Sequence, residues 1–516
     1  MGFFRGIEEA ITKLEQLKVR NLVTLGFSAE KLQHVVRLCK NKCSCDDKNR
    51  MQLPPKPSAS MRIQQLRWAL SPMSYMDECA QKHGDMFRLQ LGKDISLVFT
   101  SNPDAIQTIL TNDTKDFSAP GELNNAFEPL FGKHSLITIS GKEHQRQRQL
   151  LMPPLHGERM RSYGEIIENI TSKVIQNQQL GKSFSLRNVT QTITLQVMMQ
   201  AVFGLFDSPR ARRIEKLLGD ILDATSSPLM MAVTYFPILG RIITPFHPAR
   251  HALDWQQEAD NLLYEEIRDK RSLMPEAYRR QNPDASRSDI LSLLMAAEDE
   301  YGNPMTDVEL RDELITLLVA GHETTATAIA WAIYYIHKYP HIKSHLLTEL
   351  ATAGDNPDSN VIFKLPYLNA VCNETLRIHP VAMLTFPRKV EVPVSLCGYD
   401  LEAGTVIYGS IYLSHRRPDL YPNPDEFKPE RFLEKQFSSF EFLPFGGGVR
   451  RCIGLAFAQF EMKLVLAKIL ASVDLELVTK GKVFPVRRGL VSGQNRTIQM
   501  LVKSRNSINS GILLGV

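Results

Sequence analysis

The ten residues Phe445-Gly-Gly-Gly-Val-Arg-Arg-Cys-Ile-Gly454 constrain the fold of this chain more than any other stretch. Three consecutive glycines permit a bend that side chains would resist. The bend delivers one cysteine, Cys452, directly behind two arginines. Backbone N–H groups in such a bend can point at the sulfur, and cationic neighbours favour its deprotonated form. A lone cysteine is most often a buried free thiol that packs like a small apolar residue. It is the company Cys452 keeps that points to a thiolate ligand.

The chain has 516 residues, 43% hydrophobic and 23% charged, which is a globular composition. Its net charge of +5 is uneven: residues 1–50 hold ten Lys/Arg and six Asp/Glu, so +4 lies there. The remainder is close to neutral, which argues against a nucleic-acid protein. Seven cysteines are scattered and odd in number, so no disulfide framework is expected. Cys39, Cys43 and Cys45 could bind a soft metal, but they lack the paired spacing of a zinc site, and a basic tail is the preferred reading. No apolar run of about 18 residues occurs, so no transmembrane anchor is expected. Arg5, Glu8 and Glu9 do not fit a signal peptide, so a cytoplasmic protein is expected, with peripheral membrane contact as the minor alternative.

Local patterns outline the interior. Met86–Leu91 and Ile95–Phe99 flank Gly92-Lys93-Asp94 and predict a hairpin. Thr306-Asp-Val-Glu309 predicts a capping box, and the helix it opens runs without proline to about His337. In the middle lies Ala320-Gly-His-Glu-Thr-Thr325. Gly321 and threonine hydroxyls that compete for backbone carbonyls predict a local bulge there. Strand-like segments return near 388–410. No G-x-G-x-x-G follows a strand, and no four-cysteine iron–sulfur spacing occurs, so no reductase is expected within the chain.

The bend matches F-x-x-G-x-R-x-C-x-G at Phe445, Gly448, Arg450, Cys452 and Gly454, and in this it resembles the cytochrome P450 family. Three further motifs occur in family order. Ala320–Thr325 resembles A-G-x-D/E-T-T, with Glu323 where Asp is frequent. Glu374-Thr-Leu-Arg377 resembles E-x-x-R, and Pro429-Glu-Arg431-Phe432 resembles P-E-R-F. The resemblance covers about residues 51–505. It implies a mainly α fold with small β-sheets, a triangular prism with a long central helix over the haem. Residues 1–50 are expected to be an N-terminal extension, flexible or foreign to the fold, and 506–516 a C-terminal tail. The proline-rich stretch after Met51 is similar to the start of many family members.

The resemblance also implies roles. Cys452 would be the axial ligand of haem b, and Phe445 and Gly454 would belong to its cradle. Thr324 would hydrogen-bond dioxygen, and Glu323 would relay protons. Arg450, Arg388, His144 and Arg148 would hold the propionates. Arg146, two residues from each of the last pair, is expected to be solvated. Glu374, Arg377 and Arg431 would form a buried triad bracing the cysteine loop. Implied partners are dioxygen and a ferredoxin or flavodoxin reduced by an NAD(P)H-dependent reductase. The implied activity is a haem-thiolate monooxygenase of soluble bacterial type, similar to a cyanobacterial branch. The acid–alcohol pair argues against an isomerase or peroxygenase, and a non-enzymatic haem sensor is the remaining alternative. Three apolar segments are expected over the pocket: Phe117–Ile139 (with Leu123, Phe127, Leu130 and Phe131), Pro228–Pro248, and Val381–Phe386. They suit a hydrophobic substrate. A long-chain fatty acid is the expected one, ahead of terpenoids or alkanes, with Lys133 and Arg241 as candidate carboxylate anchors.

Overall fold

Thr306 opens the longest helix among the described residues. Its hydroxyl accepts from the Glu309 N–H, and the Glu309 carboxylate accepts from the Thr306 N–H, so the capping box is complete. The helix then runs unbroken over Asp307–Lys338. It is buried along nearly its whole length, the charged Arg311, Asp312, Glu313 and Glu323 included. In this computed structural model the described residues are 52–93, 95–157, 159–204, 208–225, 248–273, 289–354, 357–489 and 491–506. Residues 1–50, the Cys39–Cys45 cluster, the segment 226–247 with Arg241, and the tail 507–516 lie outside them.

The central helix packs along Leu186–Phe203. Gly321 makes this close approach possible: a Cβ there would sit 2.7 Å from Met198 Sδ. The bulge expected at Gly321 is absent, and the helix passes through it. Thr324 instead donates its hydroxyl to the Ala320 carbonyl at 2.5 Å, inside a continuous turn. The helices Arg159–Gln176 and Leu455–Ser472 pack against one another and complete the same core.

The predicted hairpin forms, with Met86–Gln90 antiparallel to Ser96–Thr100. Ser96–Thr100 then runs parallel to Val406–Gly409, which is followed by Arg388–Val390 and Phe117–Ser118. In this five-stranded sheet Arg388 opens the short strand that lies between Val406–Gly409 and the edge strand Phe117–Ser118, and its side chain is wholly buried. A three-stranded sheet of Ser183–Ser185, Gln499–Arg505 and Val473–Leu477, and a two-stranded one of Pro485–Arg488 with Val491–Gln494, add strands that the sequence pattern did not suggest.

Candidate active site

One cavity of about 400 Å³ lies between the central helix and the cysteine bend. Ala320, Thr324, Thr325 and Ala328 line it from the helix, and Phe445, Gly446, Arg450 and Cys452 from the bend. Leu376 and Val381–Phe386, without Met383, add a third, largely apolar side. From Leu310 to Ile336 the helix is hidden except at Ala320, which is exposed, and at Gly321 and Thr324, which are half-buried; Ala320 and Thr324 open on this cavity.

The bend is a closed structure. The Cys452 N–H donates to the Phe445 carbonyl at 3.0 Å, and the Arg451 N–H to Gly448 at 3.1 Å. Gly446 and Gly448 have φ near +65°, the left-handed region. At Gly448 a Cβ would also fall 2.2 Å from Asp113 Oδ2 and 2.6 Å from the Leu110 carbonyl. Gly454 caps the helix Leu455–Ser472, so Cys452 sits just ahead of a helix N-terminus. Burial nevertheless pushes the Cys452 thiol up. The Gly454 N–H, Arg148 and Arg451 offset that shift only in part. The cations thus act in the expected direction, and a coordinated metal would deprotonate the thiol outright.

Arg450 spends its donors on backbone carbonyls: Ala119 at 2.7 Å, Leu136 at 2.8 Å and Ile139 at 2.6 Å. Its guanidinium lies over the Phe386 ring. Burial, then Arg388, lower its pKa to about 10, and the Glu122 carboxylate offsets this only in part. His144 is buried nearby; burial, Arg450 and Arg148 lower it to about 3. Arg388 is wholly buried, pairs with Asp113 at 3.2 Å and leaves its Nε without a partner. Asp113 was not singled out from sequence; no local motif marks it.

Other placements differ from expectation. Glu323 is not on the cavity wall. Its carboxylate turns to the neighbouring helix, pairing with Arg187 at 2.8 Å and accepting from Gln191 at 2.8 Å. Arg146 is not solvated: it pairs with Asp299 at 2.7 Å and with the capping residue Glu309 at 2.6 Å. Of the segment Phe117–Ile139 only Ile137 reaches the wall, while Phe131 is core and Leu123 faces solvent. Lys133 is exposed and off the wall.

The acid–base triad does assemble. Arg377 donates to both oxygens of Glu374 at 2.7 and 2.8 Å, and Arg431 Nε to Glu374 Oε1 at 3.1 Å, all three buried. Arg377 also donates to the His415 carbonyl at 2.8 Å. The His415 ring accepts from the Leu443 N–H at 3.0 Å, two residues before Phe445. His415 is thus the link between triad and bend, and sequence reasoning missed it.

A family model for Cytochrome P450 matches residues 53–501. The chain belongs to the cytochrome P450 family. Cytochrome P450 135B1 of Mycobacterium bovis is 33% identical over 89% of this chain and 93% of its own length. Cytochrome P450 135A1 of Mycobacterium tuberculosis is 33% identical over 81% of this chain and 87% of its own length. The solved structure of cyanobacterial CYP120A1 with bound retinoic acid superposes with a TM-score of 0.75 at 23% identity, over 88% of this chain and 99% of that one. This P450 is accordingly a monooxygenase with haem b as its cofactor. Its residues fit the group: an apolar slot carries a thiol on one side and the buried guanidinium of Arg450 on its lining, with the unpartnered Nε of Arg388 nearby, and such cations suit two propionates. No helix among the described residues is long and apolar enough to cross a membrane.

Proposed function

We propose that Cys452 is the axial ligand of the haem and that this P450 hydroxylates a long-chain fatty acid. One observation carries the first part: Cys452 and Thr324, from elements far apart in sequence, line the same cavity. When bound, the haem supplies the activation of dioxygen, which a thiolate ligand favours.

The chain's own residues do the rest. The Gly454 N–H and the start of the helix Leu455–Ser472 steady negative charge on Cys452 Sγ. Phe445 closes the bend and presents its side chain to the cavity. Arg450, Arg388, His144 and Arg148 are assigned to the propionates. Thr324 holds a proton at Oγ1 that it now gives to Ala320 and can redirect into the cavity. Glu323 is the general acid behind it, working through water. For that it must leave Arg187 and Gln191, so proton delivery is coupled to release of that pair. Glu374, Arg377 and Arg431 carry structure rather than chemistry. Residues 51–505 form the haem domain of a cytoplasmic enzyme. Electrons come from a ferredoxin or flavodoxin and an NAD(P)H-dependent reductase.

Ile137, Ala328, Leu376, Val381, Leu384 and Phe386 make a wall that suits an alkyl chain. Titration of the ferric holoenzyme with fatty acids, alkanes, terpenes and retinoic acid tests the substrate. Fatty acids should shift the Soret band from low to high spin. A shift with terpenes or alkanes alone would remove the fatty-acid assignment and leave the monooxygenase intact.

A further inference from the structure

The central helix does not end its work at the cavity. Thr324, Ala328, Trp331 and Tyr335 are spaced four, three and four residues apart, so they share one helix face. Thr324 and Ala328 line the cavity, and Trp331, three residues further along the helix, is buried behind them rather than on the wall. Its indole stacks on the His379 imidazole with centroids 3.7 Å apart. Tyr335 lies 6.2 Å from Trp331 and 6.1 Å from Tyr339, near-parallel to the latter. Trp331, Tyr335 and His379 are buried, whereas Tyr339 at the helix end is half-exposed. The rings thus run from the buried helix face one turn beyond the cavity to the half-exposed Tyr339.

Packing alone explains stacked rings but not the polar pair at their centre. The Tyr335 hydroxyl and His379 Nε2 are 2.8 Å apart in the interior. Phenylalanine would fill the same space without desolvating a hydroxyl. With Nε2 as acceptor, the Tyr335–His379 pair leaves only His379 Nδ1 without a partner, beside the likewise unpartnered Trp331 Nε1. The other tautomer would strand the phenolic proton as well, so Nε2 is the acceptor. Burial holds His379 neutral, well below the ordinary histidine range, with Arg416 and Arg377 adding to the shift. A buried phenol therefore faces a free base.

We propose that Trp331, Tyr335 and Tyr339 form an electron-donor chain that quenches an oxidising equivalent left at the haem when no substrate takes it. Tyr335 gives up one electron through Trp331, and the oxidising equivalent is reduced by one. The Tyr335 O–H bond breaks, its proton passes to His379 Nε2, and a neutral tyrosyl radical remains beside an imidazolium. Tyr339 then supplies an electron to Tyr335, His379 returns the proton, and the Tyr339 proton leaves to water. A small thiol at the surface restores Tyr339 by giving a hydrogen atom. The oxidant comes from the family's dioxygen chemistry, so the inference rests on the haem-thiolate reading.

The test mixes ferric holoenzyme with a peroxyacid, without substrate, and follows radicals by freeze-quench electron paramagnetic resonance and haem loss by absorbance. The wild type should give a tyrosyl signal. Tyr335→Phe should lower it several-fold and bleach its haem several-fold faster, and Trp331→Phe should act in the same direction. An unchanged signal and unchanged bleaching in Tyr335→Phe would overturn the chain. Should that variant fail to retain haem, Tyr339→Phe gives the same reading: faster bleaching supports the chain and unchanged bleaching overturns it. The ferrous carbon monoxide spectrum separates the two failures. A wild type without a thiolate spectrum defeats the haem-thiolate reading, and an intact spectrum with unchanged bleaching defeats only the chain.

Discussion

Asp113 accepts a hydrogen bond of 2.9 Å from the Val449 N–H, three residues before Cys452. The same oxygen pairs with Arg388 and stands where any side chain at position 448 would have to go. One buried carboxylate therefore fixes the bend and ties it to the buried Arg388. Removing one member of a buried pair leaves the other uncompensated, at a cost of about 3–5 kcal/mol.

Asp113→Ala should accordingly lower thermal stability and haem content together, read as melting temperature and as the haem-to-protein ratio. An unchanged ratio would mean that the bend holds its shape without this support.

Glu374→Ala should abolish haem incorporation, because Arg377 and Arg431 would both lose their counter-ion in the core. Arg377→Lys should fail partially: it keeps the charge but cannot reach both carboxylate oxygens and the His415 carbonyl from one planar fork. Haem content of the purified variants decides this; full loading of Glu374→Ala would contradict it.

Thr324→Ala should leave the ferric and carbon monoxide spectra unchanged while peroxide release rises at the expense of product. Peroxide formed per reducing equivalent is the measurement. Unaltered coupling would take Thr324 out of proton handling.

Stability should fall in mild acid. His415 is lowered from 6.5 to about 3, first by burial and then by Arg377 and Arg416. Its folded pKa is below its unfolded one, so the unfolded chain binds the proton first. The stabilisation is full above about 6.5 and is lost as pH falls toward 3. Protonation of Nε2 would also break its bond to the Leu443 N–H. Melting temperatures from pH 7.5 down to about 4.5 should decline, and less steeply in His415→Gln. Identical slopes would exclude His415 as a main contributor.

The parts of the site legible in sequence were those written at short spacing. The capping box at Thr306, the three-residue gap between Glu374 and Arg377, and the bend from Phe445 to Gly454 each depend on neighbours along the chain. Asp113 and His415 were not legible because their partners lie hundreds or tens of residues away and no local pattern marks them. Side-chain direction was lost for the same reason. Arg146 was read from helix spacing as solvated, yet it meets carboxylates brought in by the central helix. Glu323 was placed correctly on its helix, but Arg187 and Gln191 on the adjacent one decide where its carboxylate points. The C-terminal strands are short and pair with distant segments, so their alternation was too brief to recognise.

The central claim is that Cys452 ligates the haem iron, and the ferrous carbon monoxide spectrum of Cys452→Ser beside that of the wild type tests it most directly. The wild type should show the thiolate spectrum and the variant should lose it, with the fold confirmed by far-ultraviolet circular dichroism. A thiolate spectrum that persists in Cys452→Ser would contradict the account.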